Sequence, residues 1–268
     1  MDGALKGRVL SVAGSDPSGG AGIQADIKTI SALGAYAATA ITAITIQNSL
    51  GVSDVHAVDK QHVEDQLVAV LDDIGADCIK TGMLLNREIL EVLISVLSDK
   101  ASGIPLVTDP VLVSSSGKRL LNPGALDLMK GTLFPRITVL TPNIPEACAL
   151  TGMEHIQNDQ QQIDAGLMLL DMGVSAVVIK GGHGAGDECR DLLMTSAGPE
   201  WFVSDRIDSK HTHGTGCTFA SAIATGLAQE LSVSDSVARA HKYVAEAIRI
   251  APGYGAGHGP LNHHVILS

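Results

Sequence analysis

The sequence predicts an α/β protein in which a mostly parallel sheet is covered by helices on both faces. Short β-branched runs alternate with longer segments of helical period along most of the chain. Apolar residues make up 45% of the 268 positions but aromatics only 3%, so the core has to be packed from Ala, Val, Ile and Leu. The 29 glycines suit the tight strand-to-helix turns of such a layout.

In chain order, RVLSVA reads as a first strand, and GIQADIKTISAL follows with Ile23, Ile27, Ile30 and Leu33 at helical spacing. ATAITAITI is a second strand, and the short DVHAV behind it is an edge-strand candidate that would rim a substrate cleft. Helical HVEDQLVAVLDDI, the strand DCIKTG and helical NREILEVLISVL come next. IPLVTD and ITVLTP are strands, PEACALTG and QQIDAGLMLLDMG helices, and SAVVIK a sixth strand. The rhythm then changes. WFVSDRID reads as an antiparallel edge strand, followed by HTHGTGC and two long helical patterns, CTFASAIATGLAQEL and SDSVARAHKYVAEAIRIA. With no internal repeat, low-complexity tract or linker, residues 1–268 are expected to form one domain.

A formal charge of −11 argues against a general nucleic-acid binder, because neutralising phosphates needs clustered Lys and Arg. Cys78, Cys148, Cys189 and Cys217 show no CxxC pairing, which reads as reduced thiols. The opening MDGALKGRVLSVAG has no charged-then-apolar signal pattern, and the apolar run GAYAATAITAITI falls short of the ~20 residues a membrane span needs. The expectation is a cytoplasmic protein.

In an open α/β sheet ligands bind beyond the carboxyl ends of the strands. After the first run comes AGSDPSGGAG, residues 13–22, where small residues let backbone approach a ligand, with Asp26 one turn into the next helix. It is neither a Walker A loop nor a GxGxxG fingerprint, and a plain turn reads equally well. Gln47 and Asn48 follow the second run. A planar amide matches the edge of a heterocycle, although satisfying loop backbone is the commoner use. Met83 in TGM is a core residue or a soft wall against a flat ring. Asp109 in TDPV, and Asn143 and Glu146 in TPNIPEA, are helix caps or the few oxygens that magnesium accepts when it also holds phosphates. Lys180 in IKGGHG is a solvated side chain or a phosphate ligand.

HTHGTGC, residues 211–217, carries the strongest signal. Small residues leading into an apolar helix aim free amides and the positive end of the helix dipole at one point, which suits an anion. His211, His213 and Cys217 are zinc-ligand types, but no second pair completes a site, and the histidines would point oppositely in an extended segment. Cys217 at the helix start is expected to have its pKa lowered from ~8.5, making it a plausible base or oxyanion-site residue.

Taken in order, AGSDPSGGAGIQADIKT, ITIQNSLGV, KTGM, TDPVLVSSSG, TPNIPEA, IKGGH, HTHGTGC and GAGHGPLNHH resemble the hydroxymethylpyrimidine phosphate kinases of thiamine biosynthesis, within the ribokinase-like superfamily. The resemblance implies a three-layer α/β/α sandwich with an edge strand or small flap near the cleft. It implies ATP- and magnesium-dependent phosphorylation of 4-amino-5-hydroxymethyl-2-methylpyrimidine and then of its monophosphate. By position it implies that Gln47, Gly14, Asp26 and Met83 surround the pyrimidine, and that Gly214, Thr215 and Gly216 form an anion hole with Cys217 beside the acceptor hydroxyl. Lys180, Asp109, Thr212 and His213 would stand near ATP, and Asn143 and Glu146 would organise magnesium. A homodimer is expected, as is common among relatives. The loops GSDPSGGAG and SSSGKRL are lid candidates.

The nearest rival is a pyridoxal or pyridoxine kinase, whose acceptor has a similar ring and hydroxymethyl group. A sugar kinase fits less well, since Cys217 stands where such enzymes use an acid. A non-catalytic pyrimidine sensor would have no use for the GTGC cradle, the NxxE pair and Lys180 together.

Overall fold

The computed structural model describes residues 5–112, 123–182 and 186–265. The lid candidate SSSGKRL, residues 114–120, and His183 and Gly184 of IKGGHG lie outside the described residues.

The strands are β1 (Arg8–Ser15), β2 (Tyr36–Asn48), β3 (Gly51–Ala57), β4 (Cys78–Thr81), β5 (Leu106–Thr108), β6 (Val139–Leu140), β7 (Val177–Ile179), β8 (Glu188–Thr195) and β9 (Gly198–Asp205). They form one sheet in the order β3-β2-β1-β4-β5-β6-β7-β8-β9. The stretch from β2 to β7 is parallel, while β3, β8 and β9 join antiparallel. The chain leaves β1 toward β2 on one side and returns through β4 on the other. The crevice above β1 and β4 is thus a topological switch point, where α/β sheets bind ligands. DVHAV and WFVSDRID fall in the antiparallel edge strands β3 and β9, as the sequence suggested.

The helices are α1 (Gly22–Ala32), α2 (Lys60–Asp73), α3 (Arg87–Lys100), α4 (Pro123–Leu128), α5 (Ile144–Thr151), α6 (Asp159–Asp171), α7 (Thr215–Ala228) and α8 (Val233–Arg249). A π-helical turn, Met129–Leu133, continues α4. Side-chain alternation along the strands builds the predicted three layers. Leu10, Val12, Ile79, Leu106 and Leu140 pack with α2, α3, α5 and α6, whereas Val9, Cys78, Val107 and Val139 pack with α1, α7 and α8. Helix α7 is made of small residues and is buried nearly all round. Its Gly226 lies so close to α8 that a Cβ there would run into Ser236. No helix among the described residues is long and apolar enough to cross a membrane.

Beyond α8 the chain returns over the site. The His213 amide donates to the Gly259 carbonyl at 3.1 Å, and the Gly257 amide donates to Ser49 Oγ at 3.3 Å. His263 is buried, with its Nε2 2.9 Å from Thr218 Oγ1, and Tyr243 donates its hydroxyl proton to the His263 carbonyl at 2.6 Å. Burial, helped by the charge of Lys28, pushes the His263 imidazole from 6.5 down to about 4. Between those values the unfolded chain binds more protons than the folded one, so stability falls as pH drops through this window. The slope from this group is at most ~1.4 kcal/mol per pH unit. Urea denaturation across pH 7 to 4 is expected to show it, with a shallower slope in His263→Asn.

Candidate active site

Helices α2, α3, α5, α6 and α8 begin with a side-chain cap, from Asp59, Asn86, Asn143, Asn158 and Ser232 respectively. Helices α1 and α7 do not; Ala21 and Gly214 stand at their N-cap positions. A helix start without a side-chain acceptor keeps first-turn amides for something else. These two starts interlock above the switch point. Gly214 has φ +88°, the left-handed region, and a Cβ there would drive into the Gly20 carbonyl. The Thr215 amide and hydroxyl both return to the Thr212 carbonyl, at 3.3 and 2.7 Å, closing the turn. Thr212 itself is exposed.

Across from this turn stand Asp109 and Lys180, at the ends of β5 and β7. Lys180 Nζ donates to Asp109 Oδ1 at 2.8 Å, and Thr141 Oγ1 reaches the same oxygen at 3.3 Å. A Cβ on Gly216 would stand 3.0 Å from Asp109 Oδ2 and 3.2 Å from Lys180 Nζ, so the missing side chain lets the first turn of α7 meet this pair. Burial works against the Lys180 charge, but Asp109 and Glu146 hold its pKa above the ordinary value.

Glu146 and Asn143 form a capping box. The Asn143 amide donates to Glu146 Oε2 at 3.0 Å, and the Glu146 amide donates to Asn143 Oδ1 at 2.8 Å. Glu146 Oε1 also accepts the Leu112 amide at 3.2 Å. The expected magnesium pair is therefore first of all a helix start. Burial raises the Glu146 carboxyl; Lys180 opposes this and Asp109 adds to it. Asp109 and Glu146 could offer a metal two carboxylates at most, the rest coming from waters and substrate phosphates; among the described residues no cluster of three or more His, Cys, Asp or Glu could hold one by itself.

Beneath the α7 turn lies a buried ion pair that sequence reasoning only half found. Lys80 Nζ lies 2.9 Å from both oxygens of Asp26, which also accept Ser11 Oγ at 2.5 Å and Ser221 Oγ at 2.7 Å. Both side chains are fully buried. Burial would lower Lys80, but Asp26 holds it up at about 12, with smaller contributions from Cys217 and Asp109. Asp26 was expected to line the pyrimidine. The structure instead encloses its carboxylate behind β1 and α7, with both oxygens engaged. A lone Lys in the apolar strand CIKT was the available signal for its partner.

Cys217 occupies the first turn of α7, as expected, but its thiol is not activated. Burial pushes it up to about 11; Lys80 pulls it down, while Asp26 and Asp109 push it further up. The expectation of a lowered pKa is thus corrected: desolvation, with the nearby Asp26 and Asp109 carboxylates, outweighs Lys80 and the Gly22 amide.

On the acceptor side, Met83 covers Gly14, where a Cβ would meet its terminal methyl, and Thr42 Oγ1 donates to the Met83 carbonyl at 2.6 Å. Gln47 bonds no loop backbone; its amide lies between His213 Nε2, at 3.1 Å, and Thr45 Oγ1, at 3.3 Å. His213 Nε2 also lies 2.9 Å from Asp16 Oδ2. His213, expected beside ATP, has its ring between Gln47 and Asp16. The absence of a side chain at Gly20 makes room for it: a Cβ there would collide with the Cδ2–Nε2 edge of the ring.

A family model described as phosphomethylpyrimidine kinase matches residues 16–262. The hydroxymethylpyrimidine/phosphomethylpyrimidine kinase of Escherichia coli is 40% identical over 256 residues, covering 95% of this chain and 96% of that protein. The thiamine biosynthesis bifunctional protein ThiED of Geobacter sulfurreducens is 47% identical over 96% of this chain, which spans 52% of that longer protein. Among solved structures, phosphomethylpyrimidine kinase from Clostridium difficile superposes with TM-score 0.80 at 38% identity, covering 91% of this chain and 100% of that one. Pyridoxal kinase from Staphylococcus aureus in complex with ADP superposes with TM-score 0.90 at 36% identity, covering 97% and 94%.

Proposed function

The chain belongs to the phosphomethylpyrimidine kinase family, and we propose that the strand-end residues described above share out its phosphoryl transfer. It is a ribokinase-like kinase acting on hydroxymethylpyrimidine and its monophosphate; the ADP and AMP-PCP complexes of the similar pyridoxal kinase from Staphylococcus aureus support ATP as the donor. One observation carries the assignment of roles. The uncapped start of α7 lies between an acceptor side, Gln47 and Met83, and a phosphate side, Lys180 and Asp109.

Phosphoryl transfer asks a protein mainly for alignment and charge stabilisation. In this reading the amides of Gly214 and Gly216 receive the equatorial oxygens of the moving group, and Thr215, whose amide and hydroxyl return to the Thr212 carbonyl, fixes the turn between them. Lys180 neutralises phosphate charge, and Asp109 orients its ammonium. Thr212, whose carbonyl closes the turn, borders the ATP side. Asp109 and Glu146, with Asn143 at the helix start, would hold magnesium through waters; when bound, the metal neutralises charge on the phosphates. Cys217 aligns the hydroxymethyl group, Gln47 offers its amide to the ring edge, and Gly14 leaves the ring room beside Met83. Asp26 acts from behind, through Lys80.

Gln47→Ala is expected to raise KM for the pyrimidine about tenfold or more while leaving KM for ATP within a factor of two, as loss of a ring-edge hydrogen-bonding group requires. Steady-state kinetics with each substrate varied checks this; equal shifts would place Gln47 outside the acceptor pocket.

The partner in this reading is a second copy of the chain. Ile44, Ile46 and Leu50 of the β2–β3 hairpin are 52%, 60% and 73% exposed, an apolar edge that supports a homodimer. Sedimentation equilibrium returning a single-chain mass would contradict it. We place the protein in the cytoplasm, where ATP is available and its four cysteines stay reduced, and read it as one kinase domain.

A further inference from the structure

We propose that His213 is a specificity-determining residue: held by Asp16, its Nε2–H dictates which end of the Gln47 amide faces it, and so sets the donor–acceptor order offered to the acceptor ring. This rests on the reading of Gln47 as the residue that meets the pyrimidine edge.

Asp16 is almost fully enclosed. Its Oδ1 accepts the Ser18 amide at 2.9 Å; its Oδ2 accepts Ser18 Oγ and the Ala21 amide, both at 2.8 Å. Burial would raise this carboxyl, but hydrogen bonds from His213, Ser18 and Ala21 hold it below the usual range. An ionised carboxylate only accepts, so His213 Nε2, 2.9 Å from Oδ2, has to carry a proton. The buried ring is enclosed at this contact. Its backbone is tied to Gly259, and its edge lies against Gly20, where a Cβ would collide with it.

That proton constrains Gln47. As placed, the Gln47 amide nitrogen lies 3.1 Å from Nε2, which would set two N–H groups against each other. Rotating the amide by half a turn removes the conflict, because its carbonyl then shares the Nε2–H with Asp16. The amide NH₂ then faces Thr45 Oγ1, 3.3 Å away, whose own proton goes to the Ser15 carbonyl at 3.0 Å. Every group in the chain from Ser15 to Asp16 is satisfied in this one arrangement. Gln47 keeps one carbonyl lone pair and one N–H, in fixed order. A 4-aminopyrimidine presents a donor NH₂ beside an acceptor ring nitrogen, which that pair can meet. A 4-oxo analogue presents the reverse order, which it cannot.

The test compares kcat/KM for 4-amino-5-hydroxymethyl-2-methylpyrimidine and its 4-oxo analogue, with ATP and magnesium, in wild type and His213→Leu. The wild type is expected to favour the amino compound strongly, and His213→Leu to reduce that ratio by about tenfold or more, because the freed amide can turn to suit either ring. Asp16→Asn, which keeps the ring but removes the charge that dictates its proton, is expected to lower the ratio in the same direction and serves if His213→Leu does not fold. A parallel loss on both substrates, with the ratio unchanged, would reduce His213 to a structural role and overturn the proposal. Gln47→Ala separates the two layers. If it erases the preference while His213→Leu does not, Gln47 keeps its assigned role and the inference about His213 falls. If it leaves the preference intact, the reading of Gln47 falls and takes the inference with it.

Discussion

Replacing Cys217 by alanine is expected to lower kcat by about two orders of magnitude, with KM for ATP changing less than threefold. The thiol stands in the first turn of α7, within electrostatic reach of Lys80, Asp26 and Asp109, where the proposed function places the acceptor hydroxyl. Removing it costs alignment of the acceptor hydroxyl, not nucleotide binding. The role differs from the thiolate base that a helix start suggests. With the thiol pushed up to about 11, Cys217 is neutral at pH 7. In a loose phosphoryl-transfer transition state the acceptor hydroxyl gives up its proton late, so a neutral aligning group suffices. Two results follow. Between pH 7 and 9, kcat is expected to change less than about threefold, whereas a thiolate acting as base would give a rise of about tenfold per unit. Cys217→Ser, which restores a small hydrogen-bonding group, is expected to recover a substantial part of the turnover lost in Cys217→Ala. Steady-state rates across that pH range, for all three proteins, check both.

Lys80→Met is expected to produce the largest loss of stability, about 3–5 kcal/mol, because it leaves the Asp26 carboxylate enclosed without its cation. For a chain of this size that corresponds to a thermal midpoint roughly 10 °C lower. The double variant Lys80→Met/Asp26→Leu is expected to regain most of it, since the penalty belongs to the unpaired charge and not to the absence of the bridge. Thermal and urea unfolding of the three proteins decide the point. A double variant no more stable than Lys80→Met would mean that Ser11 and Ser221, which donate to Asp26, dominate the site.

The sequence shows the fold best where each element has one clear period. Alternating β-branched and amphipathic runs placed β1 through β7 and most helices, because burial on one or two faces writes itself into spacing. Strand β8 escaped: ECRDLLMT interleaves Glu188, Arg190 and Asp191 with apolar residues, and its pairing to β7 and β9 is a long-range choice. Helix α4 escaped as well, since it is short and opens on Pro-Gly before passing into a π-helical turn. Candidate site residues at strand ends could be chosen because topology sends strand ends to one edge. What was not legible was which of their atoms were already engaged. Asp26 is consumed by Lys80 and His213 by Asp16, both through contacts between residues far apart in sequence, whereas Glu146 is engaged locally by its capping box with Asn143 and at longer range by the Leu112 amide. The Cys217 pKa was misjudged for the same reason: the helix start is visible in HTHGTGC, but the desolvation of the thiol is a property of the packed neighbourhood.

One strand-end site, with α7 amides between the acceptor and ATP, is expected to phosphorylate both the pyrimidine alcohol and its monophosphate. Incubating the protein with ATP, magnesium and the pyrimidine monophosphate, and identifying products by mass, tests it most directly. The expected product is the pyrophosphate, formed in step with ADP. ADP release without the pyrophosphate, or no turnover of the monophosphate under conditions where pyridoxal is phosphorylated, would contradict it.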